Sequence, residues 1–310
     1  MKTKGIIKSF FRGPVLKGFF SCYLFFGKIL PRRFLLFLGR GMGRLAYMLF
    51  PGERKKAFAH LSRVLPKKSE KEIKNITKRV FINIGMNFAE FTWIPRLKKK
   101  NLDDIIEFKG IGILKKLKKA NKPVLIITGH IGNWELMAAA AALKGFPSSV
   151  IARRQKNRWI NDKMIEMRKK WNVETIMREE KRSSKKILSI LKNGGFLATL
   201  MDQDTNIESV FVDFFSNKAY TPAGPAAISL RSGCEVVLAY IHRNGNMKHN
   251  ITFKYITPIV PTGNKEIDIV NRTQQFTSVL EDAIRKNPDQ WVWMHKRWKT
   301  QKISPNQKGR

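Results

Sequence analysis

The sequence predicts an α/β fold: a mixed central sheet flanked by helices, preceded by an N-terminal helical segment that associates with a membrane. Three observations carry this. Strand-like and helix-like runs alternate from about residue 104 to 257, the pattern of one sheet covered by helices. Within it the stretch 123–143, PVLIITGHIGNWELMAAAAAL, opens as a β-branched apolar run, breaks at Gly129 and continues rich in alanine. It reads as buried strand, tight turn and helix. Residues 1–51, finally, are mostly apolar with recurring basic punctuation.

That first segment holds FFSCYLFF (19–26) and FLLFL (34–38), interrupted by Lys17, Lys28, Arg32, Arg33, Arg40 and Arg44. Its longest uncharged run, 18–27, is too short to span a bilayer unaided. We expect an interfacial or shallowly inserted helical hairpin whose basic residues meet anionic headgroups. The rivals are a single marginal span with snorkelling lysines and a core helix pair of a soluble protein. No small-residue cleavage pattern follows the apolar core, which argues against a signal peptide.

The remainder, 52–310, reads as one α/β domain: a helical lead-in (52–100), a sheet core (104–257), and a C-terminal helix and tail (265–310). The lead-in contains helices at 51–65 and 69–95, the second opened by the capping-box pattern Ser69-Glu70-Lys71-Glu72. Strands are expected at 104–109, 124–128, 148–152, 173–177, 196–201, 235–242 and 250–255, and 210–215 is apolar and aromatic. The last two strands would pair across Asn244-Gly245-Asn246. Helices are expected at 111–120, 135–143, 157–171, 183–191 and 267–286. Another should start at Thr221-Pro222, an N-cap followed by proline, and run to Ser232.

With 60 basic and 23 acidic residues the chain carries a net charge of +37, so acidic partners are expected. Nucleic acid fits the charge but leaves the greasy N-terminus unexplained, and none is expected as partner. Trp291, Trp293 and Trp298 suit a stacking platform, a lipid contact, or packing of the C-terminus against the sheet. Cys22 and Cys234 lie far apart without a CxxC, so neither a disulfide framework nor a zinc site is expected.

Sites in open α/β sheets collect beyond the carboxyl ends of strands. Four such ends carry polar groups: His130/Glu135, Arg153/Arg154, Asp202/Asp204 and His242/Arg243. The HxxxxE spacing lets an imidazole on the turn face a carboxylate in the first helical turn. Glu135 would fix the tautomer of His130, whose other nitrogen could take a proton from a hydroxyl. The same pair also suits a structural histidine. Arg168 alone reads as a solvated helix arginine, and Asp202 and Asp204 as turn or capping groups. A metal site is not expected, because no convincing carboxylate partners accompany the aspartates. Phosphate loops of the GxGxxG or Walker type and the GxSxG elbow of serine hydrolases are absent.

TGHIGNWE (128–135), DQD (202–204), FVDFF (211–215), AYTPAG (219–224) and PDQWVWMHKRWKT (288–300) stand in one order along the chain. Together they resemble the bacterial lipid A biosynthesis acyltransferases, the late lauroyl and myristoyl transferases. More distantly they resemble the glycerolipid acyltransferases that share HxxxxD/E. The resemblance covers roughly residues 15 to 300. It implies a glycerolipid acyltransferase-like fold and an enzyme of the inner membrane whose site faces the cytoplasm. It implies transfer of a fatty acyl group from acyl carrier protein to a hydroxyl of a lipid A precursor. By position His130 is then the general base, Glu135 its charge partner, Arg168 a functional arginine and Asp202 the functional first aspartate of DQD. Arg153, Arg154, Asn133 and Asp204 are the candidate substrate-binding residues. Ala152-Arg153-Arg154 stands where the family has tyrosine-arginine-proline, which leaves the role of Arg153 open. Attack on a thioester needs only a deprotonated hydroxyl and a stabilised oxyanion, so no cofactor is expected. The alternatives are a glycerophospholipid or other glycolipid acceptor, and a membrane-bound thioesterase with water as acceptor.

Overall fold

The computed structural model describes residues 14–301 apart from Asn246. The start of the expected N-terminal segment, the end of the tail and one residue of the Asn244-Gly245-Asn246 turn therefore lie outside the described residues.

The helices, in chain order, are α1 (Pro14–Ile29), α2 (Arg32–Leu49), α3 (Pro51–Val64), α4 (Glu70–Phe91), α5 (Lys99–Ile105), α6 (Ile111–Lys119), α7 (Trp134–Leu143), α8 (Arg158–Lys170), α9 (Ser183–Lys192), α10 (Gly224–Ser232) and α11 (Lys265–Lys286). The strands are β1 (Ile106–Lys109), β2 (Val124–Thr128), β3 (Ser148–Ala152), β4 (Glu174–Met177), β5 (Phe196–Leu200), β6 (Ser209–Phe214), β7 (Asn217–Pro222), β8 (Glu235–Arg243) and β9 (His249–Tyr255). Seven strands form one sheet in the order β1-β9-β8-β2-β5-β3-β4, and β6 and β7 pair separately. The sheet is mixed: β8, β2, β5, β3 and β4 run parallel, whereas β9 turns back antiparallel on β8 and β1 runs with β9.

β2 is central, and all of its residues are buried. Its period-2 alternation sends Leu125 and Ile127 to the core they share with Phe276, Leu280 and Ile284 of α11. Val124 and Ile126 face the other way, toward Leu136, Ala139 and Ala140 of α7. A strand sealed on both faces is apolar on both of them, as Val124 to Ile127 are, with Thr128 the one hydroxyl at its end. This is why 124–127 shows a continuous apolar run rather than an alternating one.

Two expected elements differ. The region 104–109 divides, because Leu102 and Ile105 are buried at helical spacing and keep the chain in α5 until Ile105. The helix expected at Thr221-Pro222 begins later, at Gly224, and residues 217–222 form β7 against β6. The turn between these strands uses Phe215 (φ 50°) and Ser216 (φ 57°), both left-handed. A two-residue hairpin loop of that shape is usually written Asn-Gly, so the sequence carries no hairpin signal here. The capping box at Ser69 and Glu72 is present as expected.

α2 packs across α4 at close range because both backbones are bare at the crossing. A Cβ on Gly39 would lie 2.7 Å from the Gly85 carbonyl oxygen, and one on Gly43 would lie 2.5 Å from that of Phe81. The opposite face of α2 exposes Phe34, Phe37, Leu45, Met48 and Leu49. Among the described residues no helix is long and apolar enough to cross a membrane. Arg32 corrects the headgroup expectation: its guanidinium turns inward and donates to the buried carboxylate of Glu90.

Candidate active site

The register of two neighbouring strands builds the centre of the site. β2 and β5 are parallel, with Thr128 opposite Leu200, so the residues two further along, His130 and Asp202, come out side by side. Gly129 makes room for their approach, since a Cβ there would stand 3.0 Å from Asp202 Oδ2. The His130 backbone N–H donates to Asp202 Oδ2 at 2.7 Å, and Nδ1–H donates to Oδ1 at 2.8 Å. Gly132 then turns the chain into α7 at φ +57°, with its backbone against the Ile241 carbonyl.

This corrects the expected pairing of His130 with Glu135. Glu135 sits in the first turn of α7, which points it across the sheet to the end of α8. There it forms a two-pronged ion pair with Arg168, one prong being Nε to Oε2 at 3.0 Å. The bidentate match of guanidinium and carboxylate outcompetes a single imidazole contact. The five-residue spacing was legible, but the partner on the adjacent strand was not.

Burial alone would lower the basicity of the His130 ring. The charge and hydrogen bond of Asp202, with a smaller contribution from Glu135, more than offset this and raise its pKa above the ordinary histidine value. Asp202 is itself fully buried, which would raise its pKa. His130 and the Trp291 indole N–H, 2.7 Å from Oδ2, hold it below the usual carboxylate range. Trp291 brings the C-terminal strap with it: Ile131 bridges to Trp291, and Gly132 N–H donates to the Gln290 carbonyl at 2.8 Å. Trp291, Trp293 and Trp298 are buried, so of the three readings of these tryptophans the structure takes packing against the sheet.

His130, Trp134, Glu135 and Arg168 line one cleft of about 1190 Å³, and Arg153 and Arg154 line it too. The Trp134 ring meets His130 edge-on, with centroids 4.8 Å apart. Deeper in, Ile126, Ala198, Ala239 and Phe253 of the sheet and Met137 and Ala141 of α7 form an apolar wall.

Two of the candidate substrate-binding residues are engaged elsewhere. Asn133 is buried: its Oδ1 accepts from Leu136 N–H and caps α7, while its Nδ2 donates to Glu90. Asp204 is also buried and fastens the end of the strap by accepting from the Thr300 backbone N–H at 2.9 Å. His242 and Arg243 do not reach the cleft; Arg243 instead joins Glu90 and Asn87. Sequence reasoning missed Glu90 and the hold of Trp291 on Asp202. A lone carboxylate between Phe88 and Trp93 was the available signal for the first.

A sequence model of the bacterial lipid A biosynthesis acyltransferases matches residues 17–300. The chain belongs to this family. It is therefore an acyltransferase, and the matched region takes in His130, Glu135, Arg168, Asp202 and the tryptophan strap. Among curated proteins it is 24% identical over 271 residues to the Shigella flexneri lipid A biosynthesis acyltransferase 2, covering 86% of this chain and 82% of that one. It is 24% identical over 282 residues to the Escherichia coli K12 lipid A biosynthesis palmitoleoyltransferase, covering 88% of each. It is 24% identical over 277 residues to the lauroyltransferase of the same organism, covering 87% of each.

Proposed function

We propose that this acyltransferase moves a fatty acyl group from an acyl carrier protein thioester to a hydroxyl of a lipid A precursor at the cytoplasmic face of the inner membrane. His130 is the general base. One observation carries this: Asp202 occupies Nδ1 of His130, so the imidazole presents Nε2 in a cleft that also holds Arg168.

Nε2 takes the proton of the acceptor hydroxyl as its oxygen attacks the thioester carbonyl. Asp202 stabilises the imidazolium that forms. Arg168 directs Nε and Nη2 at Glu135, which leaves Nη1 for the oxyanion of the tetrahedral intermediate or for an acceptor phosphate. Collapse breaks the carbon–sulfur bond, and the imidazolium returns its proton to the departing thiolate. The apolar wall under α7 suits a hydrocarbon tail, and Arg153 and Arg154 suit anionic groups. No cofactor enters these steps.

The N-terminal pair supports the membrane part of the reading. Arg32 donates to the Met247 carbonyl in the β8–β9 turn, which puts the start of α2 at the end of the sheet where β2 and β5 finish. The exposed Phe34 and Phe37 in the first turns of α2 thus stand at the same end of the sheet as His130. The charge of +37 favours both an anionic bilayer and an acidic carrier protein.

The test is mass spectrometry of the products from purified protein, acyl carrier protein thioester and a lipid A precursor. An acylated precursor, lost in His130→Ala, is the expected result. Free fatty acid formed equally without acceptor would make the protein a thioesterase, and an acylated glycerophospholipid instead would change the acceptor class.

A further inference from the structure

The acyl-transfer steps leave a deeply buried charge cluster unused. Glu90 of α4 has 0% exposure, yet its carboxylate is met from several parts of the chain. Arg32 of α2 donates from Nε at 2.8 Å, Arg243 at the end of β8 from Nη2 at 2.8 Å, and His249 of β9 from Nε2 at 2.9 Å. Asn133 donates from Nδ2 at 3.0 Å. Burial alone would raise the Glu90 pKa, but Arg243, His249 and Arg32 hold it well below the usual range, so the group is ionised. Burial lowers the His249 pKa to about 4, so this ring is neutral and carries its proton on Nε2.

Such a cluster is a poor device for stability alone, because desolvation cancels much of the attraction between buried charges. Its value lies in direction. Asn133 falls between His130 and Glu135, and its two amide ends have separate tasks. Oδ1 caps α7 through Leu136 N–H, and Nδ2 is held by Glu90. The turn is thus pinned twice, by Asp202 at its start and by Glu90 at its end.

We propose that Glu90 is a positioning residue that, through Asn133, fixes the spacing between His130 and the Glu135–Arg168 pair, and that Arg32 makes this hold depend on the seating of α2. The proposal rests on the acyl-transfer reading, with Glu90 acting through Asn133 rather than touching substrate.

Asn133→Ser is the cleanest probe, since a serine keeps the helix cap but loses the donor to Glu90. Glu90→Gln removes the charge at constant shape. Each variant is expected to lower kcat between about 10- and 100-fold through misplacement of the reacting groups, with KM for the acyl donor within about twofold. The double variant should be no worse than the weaker single. Hydrogen–deuterium exchange should rise selectively over residues 129–136, a readout that needs no acyl transfer. An Asn133→Ser protein with wild-type kcat and wild-type exchange over that turn overturns the proposal, even if Glu90→Gln fails to fold. A wild-type protein without acyl transfer would overturn the proposed function instead, and the exchange comparison would still judge Glu90.

Discussion

Asp202 grips His130 twice, once at the ring and once at the backbone N–H, with the two oxygens of a single buried carboxylate. The side chain therefore sets both the tautomer of the ring and the path of the turn that carries it. Asp202→Asn keeps the shape but offers an amide to the ring, and the wrong tautomer becomes available. Acyl transfer is expected to fall by about 10²–10⁴-fold in kcat, as for the orienting carboxylate of other histidine bases. Steady-state kinetics with the lipid acceptor checks this; a loss under threefold would remove Asp202 from the mechanism.

Glu135 and Arg168 behave as one unit. Their side chains are only 9% and 14% exposed, so removing either partner leaves a nearly buried charge alone. Glu135→Ala or Arg168→Ala is expected to lower stability by about 3–5 kcal/mol, and the double variant by less than the sum. Urea unfolding of the three proteins measures the coupling. Arg168→Lys, which loses the fork, should lower kcat by about 10²–10³-fold if Nη1 meets the oxyanion.

The crossing of α2 over α4 should not accept side chains. Gly43→Leu would drive a side chain into the Phe81 carbonyl, with an expected cost of at least about 1–3 kcal/mol. Because Arg32 rides on the same helix, activity should fall along with the thermal midpoint. An unchanged midpoint would mean that α2 is not docked as described.

The exposed apolar face of α2 is expected to bind vesicles. Replacing Phe37, Leu45 and Leu49 together by glutamate should abolish co-sedimentation with anionic vesicles while leaving the circular dichroism spectrum unchanged. Binding of the wild type should weaken as salt rises. Equal sedimentation of both proteins would show that another surface makes the contact.

Much of the fold was legible because its signals are local. The alternation of elements, the Ser69 capping box and the buried apolar run of β2 follow from periodicity and burial, and the structure contains them. The β6–β7 hairpin was not legible, since Phe215-Ser216 adopts a turn that its composition does not advertise. At the site, His130 could be picked out by its place at a strand end. Its true partner required knowing that β5 lies beside β2, a fact of strand order that no spacing within one segment reveals. The same holds for Arg32, whose inward turn depends on Glu90, a residue distant in sequence and adjacent in space.

The most direct measurement is the pH dependence of kcat/KM for acyl transfer in the wild type, Asp202→Asn and Glu135→Gln. A base must be neutral to work, and Asp202 raises the His130 pKa, so activity should climb with pH along a limb centred above the ordinary histidine value. Without the Asp202 charge the imidazolium is less favoured, and the limb should move to lower pH. The smaller influence of Glu135 should move it less. A limb that stays in place in Asp202→Asn and shifts in Glu135→Gln would contradict the account, because the carboxylate governing His130 would then be Glu135.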